Sequence, residues 1–120
     1  MGKEISFRTT FFPIIMETFI VKYKVKNLEA IREWAKTINS RKNEAFETLK
    51  IEKVYFECAF LDRQADGWYV IYFMKCEDIK NAFEILKKSK STLDDYHKEV
   101  LGKNLGKPTV LETLIDLENL

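Results

Sequence analysis

The chain has few of the residues that build special architectures. Four glycines and two prolines in 120 residues are too few for a disordered or fibrous protein. One histidine excludes a histidine-rich iron or zinc site within one chain. No two-histidine spacing, glycine-rich phosphate loop or nucleophile elbow occurs, so no metal and no cofactor are expected. A dominant charge is missing as well. Twenty basic residues against 19 acidic ones leave +1, which gives no field to attract nucleic acid or an anionic membrane. No apolar run approaches the ~20 residues that cross a bilayer. The patch Phe11-Phe12-Pro13-Ile14-Ile15-Met16 is short, is interrupted by proline and lacks a small-residue cleavage site. A cytoplasmic location follows.

What is present is a globular composition, 46% hydrophobic and 32% charged. A chain of this length buries roughly two thirds of the surface its unfolded form exposes, so one core suffices. No repeat or linker divides residues 18–120, which read as a single domain. Residues 1–17 read as an N-terminal extension, an added edge strand or a flexible lead.

Thr18 to Lys26 alternates Phe19, Val21, Tyr23 and Val25 with Lys22, Lys24 and Lys26, a half-buried strand with a solvated lysine face. Asn27 is placed to cap a helix. From Leu28 the period changes: Ile31, Trp34, Ala35, Ile38, Ala45 and Leu49 recur at helical steps, which predicts a helix to Leu49 with a break near Asn39-Ser40. Glu52 to Leu61 alternates again, Arg63 to Gly67 supplies a turn, and Trp68 to Lys75 returns antiparallel. That hairpin sets Cys58 opposite a residue near Ile71 and leaves Cys76 roughly 16 Å further along. The separation exceeds the ~7 Å limit of a disulfide, so both cysteines read as buried, reduced thiols.

Asp78 caps a second helix carrying Ile79, Ala82, Phe83 and Leu86. Ser89 to Thr92 interrupts it, and Ser91 with Asp94 has the spacing of a capping box for a further helix. Its stripe is Leu93, Tyr96, His97, Val100 and Leu101, and Gly102 ends it. After Gly106-Lys107-Pro108 a last strand is expected from Val110 to Leu117.

This order predicts an α+β fold of the ferredoxin-like β-α-β-β-α-β type, a four-stranded antiparallel sheet with helices on one face. Away from the helices lie either Tyr55, Ala59 and Leu61 or Val54, Phe56 and Phe60, and both sets are too apolar to be left in water. The expected cover is a second copy packed sheet to sheet, a homodimer.

Chemistry concentrates in a few residues. Arg41 falls on the apolar stripe of the first helix, where a guanidinium needs a partner. Glu44 is one turn away, and Glu57 is an acid inside an apolar strand. His97 lies on the stripe of the last helix beside Asp94. His97, Glu57 and Asp94 are thus the candidates for proton transfer. Arg41, Glu44, Tyr55, Tyr96 and Trp68 are the candidates for holding a small polar or aromatic ligand. The competing reading makes the same groups internal bracing, with the aromatics filling a core or a dimer seam.

The segments Arg41-Lys-Asn-Glu44, Glu52-Lys-Val-Tyr-Phe-Glu57, Trp68-Tyr-Val-Ile-Tyr72, Leu93-Asp94-Asp-Tyr96-His97 and Leu114-Ile-Asp116-Leu117 resemble a bacterial domain-of-unknown-function family of the dimeric α+β barrel superfamily. The resemblance runs from Thr18 to the end of the chain, and Met16 would be a more typical beginning. It implies the fold and a dimer. The wider superfamily includes cofactor-independent monooxygenases, haem-degrading enzymes, isomerases and ligand-sensing regulators, and architecture does not transmit function among them. Two functions therefore stand. One is a small-molecule-binding dimer performing metal-free proton transfer or oxygenation, and the other is a non-catalytic dimeric module that senses a ligand or scaffolds a partner.

Overall fold

Alternating aromatic, β-branched and lysine residues form β1 (Glu17–Val25), the first element of a computed structural model that describes residues 16–119. The expected extension over 1–17 lies outside the described residues except for Met16 and Glu17, and Glu17 already opens the strand. Helix α1 (Leu28–Ser40) starts on Asn27, whose side chain accepts from the Ala30 N–H at 3.1 Å. The expected break comes at Arg41, with φ −119° and ψ 37°. Just before it, Asn39 Nδ2 donates to the Ala35 carbonyl at 2.8 Å and Ser40 Oγ to that of Thr37 at 2.7 Å. Such back-bonding competes with the helical ladder.

Helix α2 (Lys42–Glu52) follows, so Glu52 closes a helix where the sequence pattern began a strand. Lys53 ends it in the left-handed region at φ 57°, its N–H directed at the Leu49 and Lys50 carbonyls. A side chain strains that conformation and glycine does not. Lys53→Gly is therefore expected to stabilise the fold by up to ~1 kcal/mol, net of the freer unfolded chain, read as a higher urea midpoint at unchanged slope.

Strands β2 (Val54–Gln64) and β3 (Gly67–Cys76) form the predicted hairpin, with Gln64 paired to Gly67. Helix α3 (Ile79–Lys88) begins on Asp78, which accepts from the Asn81 N–H at 3.0 Å. Helix α4 (Thr92–Asn104) begins on Ser91, which accepts from the Asp94 N–H at 3.2 Å. It passes through Gly102 rather than ending there, and β4 (Leu105–Val110) follows at once. The last strand thus lies earlier than Val110–Leu117. The Lys26 N–H bonds to the Asn104 carbonyl at 2.8 Å, which docks the helix end on β1 and starts pairing at Val25 and Leu105. Gly106 suits this close approach, since a Cβ there would stand 3.3 Å from the Lys24 carbonyl oxygen. Pro108 is tolerated because β4 is an edge strand.

The sheet order is β2-β3-β1-β4 with every neighbour antiparallel, the ferredoxin-like arrangement. Val21, Val70, Tyr72 and Met74 pack under Ile31 and Trp34 of α1 and Ala82 of α3, which places the helices on one face. A bulge between Val54 and Phe56 breaks the alternation of β2: Val54 joins the core while Phe56, Cys58 and Phe60 fall on the open face. Across that face run the rows Ile20–Phe73–Cys58 and Lys22–Ile71–Phe60. Cys58 is therefore exposed rather than buried, opposite Phe73 and so two residues from Ile71, whereas Cys76 is buried as expected. Neither is in a disulfide.

Beyond β4, residues 111–119 turn onto the open face. Thr18 Oγ1 donates to Asp116, and Lys75 Nζ reaches Asp116 at 3.1 Å and Glu118 at 3.4 Å. Leu114 and Leu117 nevertheless stay 84% and 87% exposed. No helix among the described residues is long and apolar enough to cross a membrane.

Candidate functional site

The inner stripe of α2 runs Ala45, Leu49, Glu52 at helical steps, and the third member is an acid. It faces β2, where Glu57 is the acidic member of the helix-facing set, because Glu57 pairs with Met74 and Ala59 with Tyr72. From the far side α4 presents Asp94, His97 and Leu101 at steps of three and four. These groups line one partly open cavity of about 420 Å³ between sheet and helices, whose remaining walls are mainly apolar side chains such as Phe19, Leu49 and Phe83.

Each polar group has a distinct environment. Tyr72, wedged in the core, donates its hydroxyl to Glu57 Oε2 at 2.6 Å. Burial and the neighbouring Glu57 hold that phenol well above its ordinary value, so it remains a donor. The Glu57 carboxyl is pushed up, chiefly by desolvation and further by the Asp94 charge, while the Tyr72 bond pulls the other way. Asp94 accepts from Ser89 Oγ at 2.6 Å. His97 is held between Trp34 and Tyr72, with ring centroids at 5.6 and 6.3 Å. Trp34 Nε1 donates to His97 Nδ1 at 3.1 Å, and an imidazole that accepts there in its neutral form carries its proton on Nε2. Burial keeps the ring neutral by lowering its pKa, opposed by Asp94.

Glu52 differs from all of these. The residue is only 6% exposed, and no hydrogen-bond partner meets its carboxyl among the described residues; no side-chain oxygen there is both sealed off and unpaired, so this carboxyl opens onto the cavity. Burial, then the charges of Asp94 and Glu57, push its pKa up to about 8. The half-buried ammonium that lines the same cavity is committed elsewhere: Lys98 Nζ donates to the Leu86 carbonyl at 3.1 Å, lies 3.5 Å from that of Ser89 and 3.6 Å from Asp95 Oδ1. It thereby satisfies the carbonyl end of α3. Among the described residues, no three histidine, cysteine or acidic side chains are grouped so as to hold a metal ion.

The structure brings His97, Glu57 and Asp94 to this cavity and leaves the five expected ligand contacts outside it. Arg41 sits on the helix break instead of a continuous apolar stripe. Its Nε and Nη2 meet Glu44 at 2.6 and 2.7 Å, and Thr92 Oγ1 lies 3.5 Å away. Tyr55 donates to Glu77 at the surface at 2.5 Å. Trp68, at the hairpin end, is flanked by the guanidinium groups of Arg32 and Arg63 at 5.7 and 5.8 Å. Tyr96 packs against the core without lining the cavity.

Residues 16–120 match a family of unknown function, DUF6176. The chain belongs to that family. Among solved structures it is similar to a dimeric protein of unknown function and ferredoxin-like fold from Bacteroides fragilis, at 17% identity and a TM-score of 0.49, over 80% of this chain and 92% of that one. No curated protein matches it in sequence. The site of this DUF6176 chain includes three groups that the sequence pattern did not single out as site residues: Glu52, Tyr72 and Trp34. A signal for Glu52 existed, since it follows Ala45 and Leu49 at steps of four and three and so falls on the inner face of its helix.

Proposed function

We propose that this protein is a homodimer whose sheet-to-helix cavity binds a small, mainly apolar molecule and exchanges a proton with its polar group. The observation that carries this is Glu52: the residue is almost wholly buried, and its carboxyl opens onto a mainly apolar cavity with no protein partner among the described residues, so only water or a ligand's polar group is left to meet it. An acid with a pKa near 8 also suits general acid or base work close to neutrality. His97 Nε2–H, Glu57 and Asp94 complete the proton-handling set, so proton transfer is favoured over oxygenation. The dimer rests on the open sheet face, where Phe56, Phe60, Ile71 and Phe73 form an apolar surface that an isologous partner would cover. Unpaired cysteines fit a reducing compartment, the cytoplasm.

The chain has only two tryptophans, and Trp34 lines the cavity while Trp68 sits at the hairpin end. In a proton–nitrogen correlation spectrum, members of a fragment library that enter the cavity are expected to move the Trp34 indole signal and leave that of Trp68 in place. A library whose binders all leave Trp34 unmoved refutes the pocket.

A further inference from the structure

The charges around the cavity narrow its ligand, given the binding role proposed above. Three carboxyl groups, Glu52, Glu57 and Asp94, share this space. The groups facing them come from every neighbouring element. Strands β1 and β3 present Tyr23 and Tyr72, helix α1 presents Trp34, and α4 presents His97 and Lys98. Helix α3 brings only the apolar Ala82, Phe83 and Leu86. The cations are Lys98, which is occupied by the carbonyl end of α3, and Lys42, an exposed residue at the start of α2. An anionic ligand would meet like charge here, and a hydrocarbon would leave Glu52 without a partner. Trp34 and Tyr72, aromatic residues that line the cavity beside these acids, are surroundings that favour an organic cation.

We infer that the cavity takes an organic ammonium, a primary amine on a small aromatic or apolar body, with Glu52 as its principal carboxylate partner and Glu57 as the second. A cavity of about 150 Å³ accepts benzene, so 420 Å³ leaves room for a two-ring body with an aminoethyl arm. At neutral pH the ammonium enters with its charge, Glu52–COOH gives its proton to solvent, and an ion pair forms. One proton is released for each amine bound. Affinity therefore rises with pH by close to tenfold per unit up to about pH 8, the pKa of Glu52, and then levels.

The test uses three indole compounds of matched shape, tryptamine, tryptophol and indole propionate, in titration calorimetry on the intact protein at about pH 6 and about pH 8. Repeating it in buffers of different ionisation enthalpy counts the protons exchanged. Tryptamine is expected to bind at least about tenfold tighter than tryptophol at the higher pH, to weaken at the lower one, and to release close to one proton per amine at the lower pH and about half at the higher, where Glu52 is already half ionised. Glu52→Gln should weaken tryptamine by about tenfold to a hundredfold and spare tryptophol. Preference for tryptophol or indole propionate, or tryptamine binding that ignores both pH and Glu52→Gln, overturns the ammonium assignment while the pocket stands. Failure of all three to shift the Trp34 indole signal overturns the assignment and counts against the pocket as well.

Discussion

Glu52→Gln raises the stability of the free protein at pH 8 by about 2–3 kcal/mol, solvent in the cavity screening part of the burial penalty, and leaves it within about 1 kcal/mol of the parent at pH 5. Glutamate ordinarily titrates near 4.5, and burial moves Glu52 to about 8. Between those values the native state keeps a proton that the unfolded chain has lost. Stability therefore falls as pH rises through this window, by at most ~1.4 kcal/mol per unit from this residue, and is flat above it. Glutamine keeps the shape and removes the titration. For a domain of this size each kcal/mol corresponds to roughly 4 °C or more in Tm, so the variant should melt about 10 °C higher at pH 8. Glu57, whose pKa is also raised, retains its own slope of the same sign. His97, lowered by burial, acts oppositely and only in acid, below its ordinary 6.5. Urea unfolding of both proteins at the two pH values decides the matter: equal losses from pH 5 to pH 8 would show that Glu52 is solvated or paired.

Phe60→Asp is expected to convert the proposed dimer into single chains while leaving the fold intact. Phe60 is 59% exposed in one chain, so a carboxylate there costs the monomer little. In a two-fold interface the substitution counts twice, once on each copy. Losing two buried phenylalanines removes roughly 3–6 kcal/mol of apolar burial, and desolvating two carboxylates adds to that. Self-association should weaken by at least about a hundredfold. Sedimentation equilibrium at micromolar concentration is expected to give twice 14.2 kDa for the parent and the mass of one chain for the variant, with unchanged far-ultraviolet dichroism. A parent that sediments as one chain ends the argument for the dimer.

The elements were largely legible in the sequence because local physics sets them. The lysine alternation of β1, the caps at Asn27, Asp78 and Ser91, and the tight turn between Gln64 and Gly67 each depend on neighbours in the chain. The errors fall where tertiary contact decides. Gly102 resembles a helix stop, but docking of Asn104 on Lys26 carries α4 past it and fixes β4. The bulge at Val54 and Phe56 decided which face of β2 is open, and alternation alone left both choices. In the site, His97 and Glu57 were visible as polar residues on an apolar stripe and strand, and Asp94 as the acid beside His97. Arg41 carried the same signal and lies elsewhere, because the helix breaks at that residue and its stripe restarts in a new direction. Glu52 was hidden by its position between two periodicities.

The strap formed by residues 111–119 combines two forces that answer oppositely to the salt around it. Its mooring at Lys75, Asp116 and Glu118 is ionic, and mobile ions of any kind weaken such contacts. Its leucines and isoleucine are greasy, and excluded salts such as sulfate drive them toward the sheet. Chloride and sulfate at equal ionic strength should therefore leave the strap in different places. The crystallising or purifying solution thus acts as a dial on how much of the sheet is reachable.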